Sequence, residues 1–338
     1  MADGRTDRSG ALDLLRGIAI LIVVIGHAIQ VNLLQGQTSF IRSYLIIPVQ
    51  MPLLFFISGY TTGFSFPSKN PGLFIRKKAV RLLVPYLSWE SLHYFIAAAL
   101  PIDYRRLGVT EFLREILVSD FWFLRMLFLF FVITWLADVL VHLLHRENNA
   151  WAPVIALLVL SPAVMLAERM PLLSQSADLW YYQWFVCGYA AFHVLRDERV
   201  RRLWSIRRFR RAAVGASLVA MAATTVILTQ RTMRPRLVCV ILCFGICIAV
   251  CGLERVIPTP VRDFCANIGR NTLPVYAIHW CLLFSPLMRI QLYTGLFSGW
   301  PPAISSALTA AAWTLLCVLL TRLLRRTRLT RVLLLGEV

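Results

Sequence analysis

The sequence predicts an all-α, polytopic integral membrane protein with about ten transmembrane helices in one bundle. Three observations predict it. The 338 residues are 58% hydrophobic, with a mean hydropathy of +0.68. Several apolar runs reach the ~20 residues that a helix needs to cross a bilayer. Those runs do not alternate with a period of two, as the ~10-residue strands of a membrane barrel would. Helices and closed barrels alone satisfy the backbone in lipid, so helices remain.

The spans fall at roughly 12–33, 42–64, 81–100, 121–143, 151–167, 178–195, 212–229, 236–253, 268–288 and 301–321. Met1 to Gly10 is polar and shows no cleavable signal pattern, so the first span is the expected insertion signal. Pro153 and Pro162 interrupt the fifth span. The chain reads as a single membrane domain over 1–338, with no repeat and no low-complexity tract. A short N-terminus at 1–11 and a basic C-terminal tail at 322–338 flank the bundle.

The formal charge of +18 would suggest nucleic acid in a soluble chain. Here it fits positive-inside topology, and no nucleic-acid partner is expected. Lys69, Arg76, Lys77 and Lys78 lie in one loop, with Arg81 just beyond. Arg196, Arg199, Arg201, Arg202, Arg207, Arg208, Arg210 and Arg211 lie in a second. Arg322, Arg325, Arg326, Arg328 and Arg331 lie in the tail. Ten spans put both loops and both termini on one side, which the rule makes cytoplasmic. On the other side, the charges of Asp103, Arg105, Arg106, Glu111, Arg114, Glu115 and Asp120 nearly cancel. Arg231, Arg234 and Arg236 disagree with the rule. Of the 35 basic residues only three are lysine, an arginine bias that hints at a GC-rich bacterial genome. The expected location is a bacterial inner membrane.

The first span carries the chemistry. Arg16 and His27 are eleven residues apart, about 1100° of helix and so about 20° from a shared stripe. About 16 Å of rise separates them. Asp13 falls about 60° to one side of Arg16. Ionisable groups in a span are costly and face a bundle interior or a wet cavity. A neutral imidazole can take a proton from a hydroxyl. A guanidinium can bind phosphate or carboxylate bidentately. Asp13 orients Arg16 or balances its charge. A packed structural histidine is the plainer alternative for His27.

These residues resemble a known family. Leu12-Asp-Leu-Leu-Arg-Gly-Ile-Ala, with Gly26-His27 beyond it, is similar to the opening motif of the membrane-bound acyltransferase family three. Met51-Pro-Leu-Leu-Phe-Phe-Ile-Ser-Gly-Tyr60 resembles its second-span motif. Phe74-Ile-Arg-Lys-Lys-Ala-Val-Arg-Leu-Leu-Val-Pro-Tyr86 resembles its basic loop leading into Pro-Tyr. Phe121-Trp-Phe-Leu124 and Ile268-Gly-Arg-Asn-Thr-Leu-Pro-Val-Tyr-Ala-Ile-His279 resemble two later segments. The nearest branch is the fucose-4-O-acetylase-like and polysaccharide O-acetyltransferase group, in its stand-alone form. The resemblance implies an O-acyltransferase that moves an acyl group, by default acetyl, from acyl-CoA to a sugar hydroxyl of a cell-surface or exported glycan. Acetyl-CoA would be a donor substrate, with no permanently bound cofactor. Partners would be the donor, a glycan or lipid-linked sugar, and membrane lipid. His27 would be the general base, and Arg16 would engage the donor. Asp13 joins His27 as a catalytic candidate, on its place beside Arg16 alone.

Other polar groups are candidates. Arg76, Lys77, Lys78 and Arg81 either mark topology or meet donor phosphates. Ser58, Glu90, His93, Trp122, Arg125, Tyr276 and His279 are candidate substrate contacts. For Ser58, with Gly59 beside it, close helix packing is the alternative; for Trp122 it is an interfacial anchor. Arg125 in an apolar run needs an anionic or carbonyl partner. Cys239, Cys243, Cys247 and Cys251 drift about 40° per step, so they cannot converge on one metal, and packing is their expected role. The rival function is a transporter of a small or anionic solute using the intramembrane Arg, His and Asp residues. Repeated halves and matching broken helices, which transporters often show, are not visible in the sequence. A non-catalytic receptor or scaffold is a third class, and it would not need His27 in this setting.

Overall fold

A computed structural model of the chain describes residues 6–33, 39–65, 71–99, 108–117, 121–146, 149, 151–169, 179–229, 235–294 and 299–337. All regular structure among those residues is helical. Among the described residues, six helical stretches are long and apolar enough to cross a membrane: Gly10–Asn32, Ile41–Thr62, Trp122–Leu143, Arg207–Leu228, Pro235–Leu253 and Pro302–Leu324. A helix also stands at each of the other four expected spans. The protein is an all-α, multi-pass membrane protein.

Helix α1 (Thr6–Asn32) carries the polar stripe. A π-helical stretch, Ile41–Ile46, leads into α2 (Ile47–Thr62). Helix α3 (Pro71–Ala99) takes in the basic loop and the third span without a break. A short helix, α4 (Val109–Leu117), follows, and then the apolar α5 (Trp122–Leu143). The expected fifth span is two helices, α6 (Ala152–Val159) and α7 (Ser161–Glu168). Pro162 has no N–H to donate, so the helix restarts where Pro162 falls in a first turn. Helix α8 (Leu179–Arg196) is the sixth span. The second arginine loop folds as a surface helix, α9 (Glu198–Ser205). Its Asp197 cap accepts the Arg199 amide at 2.7 Å. Helices α10 (Arg207–Thr229) and α11 (Pro235–Leu253) pair beyond it.

The expected ninth span is corrected. Its start belongs to α12 (Thr259–Arg270), and Asn271 breaks the helix before α13 (Thr272–Ile278). The Pro274 ring clashes with the carbonyl four residues back, so α12 cannot run on. A second π-helical stretch, His279–Phe284, continues into α14 (Ser285–Thr294). Helix α15 (Pro302–Leu324) is the tenth span.

Within the basic tail, α16 (Arg328–Leu335) folds back against α3. The buried Trp89 donates from Nε1 to the Leu334 carbonyl at 2.7 Å. Arg325 pairs with Glu337, Nη2 to Oε1 at 2.5 Å. Gly336 closes the helix at φ 65°, in the left-handed region that glycine enters without strain.

Two glycine crossings set the bundle. A Cβ on Gly17 would lie 1.9 Å from the Cys265 carbonyl oxygen, and one on Gly269 would lie 1.8 Å from that of Asp13. So α1 and α12 touch backbone to backbone. Gly59 and Gly188 repeat the arrangement between α2 and α8, each 1.9 Å from a facing carbonyl, Phe185 and Phe56. Membrane helices lack a hydrophobic drive to associate, and small residues let their backbones approach instead. Large rings fill the space between α2, α5 and α8. The Phe55 ring, fully buried, lies 4.8 Å from Phe123, 5.1 Å from Phe130 and 5.5 Å from Tyr181. Trp122 joins this cluster, 5.4 Å from Tyr181.

Candidate active site

Arg16 and His27 rise from one helix, and each end of the stripe is met by the segment 265–285. At the N-terminal end, Asp13 sits between two arginines. Arg16 Nη1 donates to Asp13 Oδ1 at 3.2 Å. Arg270 Nη1 lies 3.7 Å from Asp13 Oδ2. The Gly17–Gly269 contact brings Arg270 here, since it ends the helix that crosses α1 at that point. Lys78 and Arg81 are also within electrostatic range of Arg16. Lys78, ahead of the third span, lies over the Phe131 ring at 4.1 Å. Burial, with Arg81 and Arg16 nearby, pushes its ammonium down to about 8. Arg76, Lys77 and Arg81 are exposed. Two arginines thus flank the Asp13 carboxylate, with Lys78 and Arg81 in range of Arg16, a cationic surplus suited to a multiply charged phosphate ligand.

At the other end, His27 Nδ1 meets His279 Nε2 at 3.0 Å. The tautomers follow from the next bond. His279 Nδ1 lies 2.7 Å from the Val275 carbonyl oxygen, which only accepts. His279 therefore carries its proton on Nδ1, and a neutral ring then has Nε2 as an acceptor. His27 donates to it from Nδ1, which leaves His27 Nε2 as a lone-pair nitrogen. The opposite arrangement would place a doubly protonated, charged His279 in the apolar layer, at considerable cost.

Three rings of the π-helical stretch enclose His27. His279 stacks at 5.2 Å between centroids, Trp280 lies edge-on at 5.0 Å, and Phe284 lies at 4.7 Å. Hydrogen bonding from i to i+5 winds a π-helix wider than an α-helix. That winding brings positions 279 and 284 onto one side. One turn beyond His27, Gln30 accepts from Arg42 Nη2 at 2.6 Å. Arg42 stands on the other π-helical stretch, within electrostatic reach of His27.

The remaining candidates separate. His93 and Ser285 share a hydrogen bond at 2.9 Å, and Glu90, fully buried, lies beside Cys281. This α3 pair therefore braces the segment that holds His279. Tyr276 packs 6.1 Å from His279, between Phe121 and Phe123. Ser58 bonds back to the Leu54 carbonyl at 2.8 Å, inside its own helix. Trp122 belongs to the aromatic packing described above. Arg125 lies 5.9 Å from the Tyr86 ring. Cys239 and Cys243 are buried, and Cys243 points at the Val49 carbonyl of α2 at 3.8 Å, whereas Cys251 is exposed. Arg236 lies over Trp180 at 5.6 Å. Lys69, Asp103, Arg105, Arg106, Asp120, Arg231 and Arg234 lie outside the described residues.

Sequence reasoning missed Arg270, Arg42, Gln30 and Trp280. Two signals were present. Arg42 opens the second span much as Arg16 opens the first, and Arg270 and Trp280 adjoin positions already singled out.

A family model described as an acyltransferase domain matches residues 9–322. Two relatives are each called nodulation protein NolL. That of Mesorhizobium japonicum (strain LMG 29417 / CECT 9101 / MAFF 303099) is 29% identical over 134 residues, which is 38% of this chain and 36% of the relative. That of Sinorhizobium fredii (strain NBRC 101917 / NGR234) is 32% identical over 138 residues, 39% of this chain and 37% of the relative. The chain thus spans little more than a third of the length of these curated relatives. No solved structure matches the chain.

Proposed function

The chain belongs to the acyltransferase family whose model covers residues 9–322, and from that premise we propose that it moves an acyl group from acyl-CoA to a sugar hydroxyl across the inner membrane. The observation that carries the proposal is the His27–His279 dyad, with His27 Nε2 left as a base on the stripe that begins at Arg16.

The donor comes from the cytoplasmic side. Its phosphates meet Arg16 and Arg270, which Asp13 holds apart, with Lys78 and Arg81 beside them. Asp13, fourteen residues or about 21 Å of helix rise from His27, positions the arginines rather than touching the reacting atoms. The thioester arm runs along α1 towards His27. The acceptor, a hydroxyl of a cell-surface glycan or lipid-linked sugar, comes from the outer side past Gln30 and Arg42. His27 Nε2 takes the hydroxyl proton as the oxygen attacks the thioester carbon, and His279 steadies the ring through Nδ1. The departing CoA thiolate receives the proton. Neither substrate crosses the membrane.

The test uses membranes holding the full chain, acetyl-CoA labelled in the acetyl group, and the glycan fraction of the host. His27→Ala is expected to lower transfer by about 10²–10⁴-fold, with membrane insertion unchanged. Arg16→Ala is expected to raise the acetyl-CoA KM. Wild-type labelling by His27→Ala would sink the base assignment.

A further inference from the structure

Lipid offers a buried polar atom no partner, so nearly all such atoms bond within the protein. The Trp280 indole Nε1 is buried without a hydrogen-bond partner among the described residues. Its ring is the one packed edge-on to His27, with planes at 62°. Phe284 packs against both rings, 4.7 Å from each. An indole N–H only donates, so its missing partner is an acceptor.

We infer that Trp280 is a further catalytic residue, whose Nε1–H donates to the acyl carbonyl oxygen during transfer. This rests on the acyl-transfer reading above. His27 Nε2 removes the proton of the acceptor hydroxyl as that oxygen bonds to the thioester carbon. The carbonyl π pair moves onto its oxygen, which Trp280 holds as an oxyanion. The pair then returns, the carbon–sulfur bond breaks, and the thiolate takes the proton from His27. The attacking oxygen and the oxyanion share one carbon. One hydrogen bond of about 2.6–3.2 Å reaches the base, and another of about 2.7–3.1 Å reaches the donor. Base and donor must therefore be near neighbours on one side of the reacting carbon. Two rings 5.0 Å apart in edge contact meet that requirement. His279 cannot take the role, because both its nitrogens are engaged.

Two variants of the full-length protein test this. Trp280→Phe removes the N–H and trims the ring. Benzothienylalanine at position 280 keeps the bicyclic shape and replaces N–H by sulfur. Transfer from labelled acetyl-CoA is the readout, with wild type and His27→Ala alongside. Both variants are expected to lose about 10²–10³-fold in kcat, the loss typical for one oxyanion donor, while the acetyl-CoA KM holds. A loss in Trp280→Phe alone would mean that the ring only packs, and would overturn the assignment. Full activity in both would overturn it too. Absence of transfer by wild type, or full transfer by His27→Ala, would instead strike the acyl-transfer reading and carry the Trp280 role down with it.

Discussion

Replacing Gly269 by alanine puts a methyl group where the structure has backbone. The new Cβ would lie 1.8 Å from the Asp13 carbonyl oxygen and 2.8 Å from the Gly17 nitrogen. Ordinary contact begins near 3.4 Å, so α1 and α12 must part by about 1.6 Å. A backbone carbonyl inside a helix cannot swing aside as a side chain can. The Arg270–Asp13 separation of 3.7 Å then opens to about 5 Å, past the ~4 Å limit of an ion pair. Forced overpacking of this kind costs about 1–3 kcal/mol. Loss of the second arginine from the donor end is expected to raise the acetyl-CoA KM about tenfold, or ~1.4 kcal/mol. The assays are thermal unfolding in detergent and donor-dependent transfer kinetics. Gly17→Ala should behave alike, because its Cβ would lie 1.9 Å from the Cys265 carbonyl oxygen. Gly215→Ala on α10 is the control: nothing lies within 4 Å of its Cβ, and alanine suits a helix better by about 0.5–1 kcal/mol. A Gly269→Ala protein with wild-type Tm and wild-type donor KM would refute the close crossing and the arginine placement that depends on it.

His279→Ala removes the acceptor for the His27 Nδ1 proton; kcat should fall about 10²-fold at constant donor KM, and His279→Gln, which offers an amide oxygen, should restore part of it. An unchanged kcat in His279→Ala would count against the dyad. Lys78 sits near 8, lowered from the usual lysine value by burial and by two guanidiniums. It loses charge as pH rises through 8, so kcat/KM for acetyl-CoA should decline from pH 7 to 9. Lys78→Arg, charged throughout, should flatten the decline. For stability the sign is opposite: the buried charge is a penalty below 8 that lifts as pH rises towards the unfolded value of 10.5. Trp89→Phe strips the donor from the Leu334 carbonyl, at a cost of about 1–3 kcal/mol. Trypsin should then release α16 faster, at Arg328 and Arg331; an unchanged digestion rate would refute the docking.

The first helix was legible because its chemistry is local. Helical periodicity alone puts Arg16 and His27 on one stripe, and apolar length alone marks most of the spans. The partners were not legible, because they lie far off in sequence. His279 is 252 residues from His27, and no spacing rule connects them. Its approach depends on a π-helical stretch that looks like any apolar run. Arg270 reaches Asp13 because two glycines let two backbones touch, and a single Gly in a sequence does not name its opposite. The docking of the tail was not legible either: its arginines give its charge, but only the fold shows that Leu335 is buried and that the Leu334 carbonyl meets Trp89.

Two segments hold the dyad and the Asp13 ion pairs. Residues 13–30 supply one strand of the arrangement and residues 265–285 supply the other, and they meet twice. At the meeting nearer the start of α1, Gly17 against Gly269 sets the arginines. At the meeting nearer the end of α1, the π-helical stretch closes three rings on His27. Eleven residues of α1 separate Arg16 from His27, and nine residues separate Arg270 from His279, with the Asn271 break between them. A break is the expected device where two parallel segments must match at two points with different pitch. A continuous α-helix through 259–288 would fix the rotation of His279 once Gly269 was seated. The break and the wider π winding free that rotation, so Arg270 and His279 can each be placed against α1 without compromising the other.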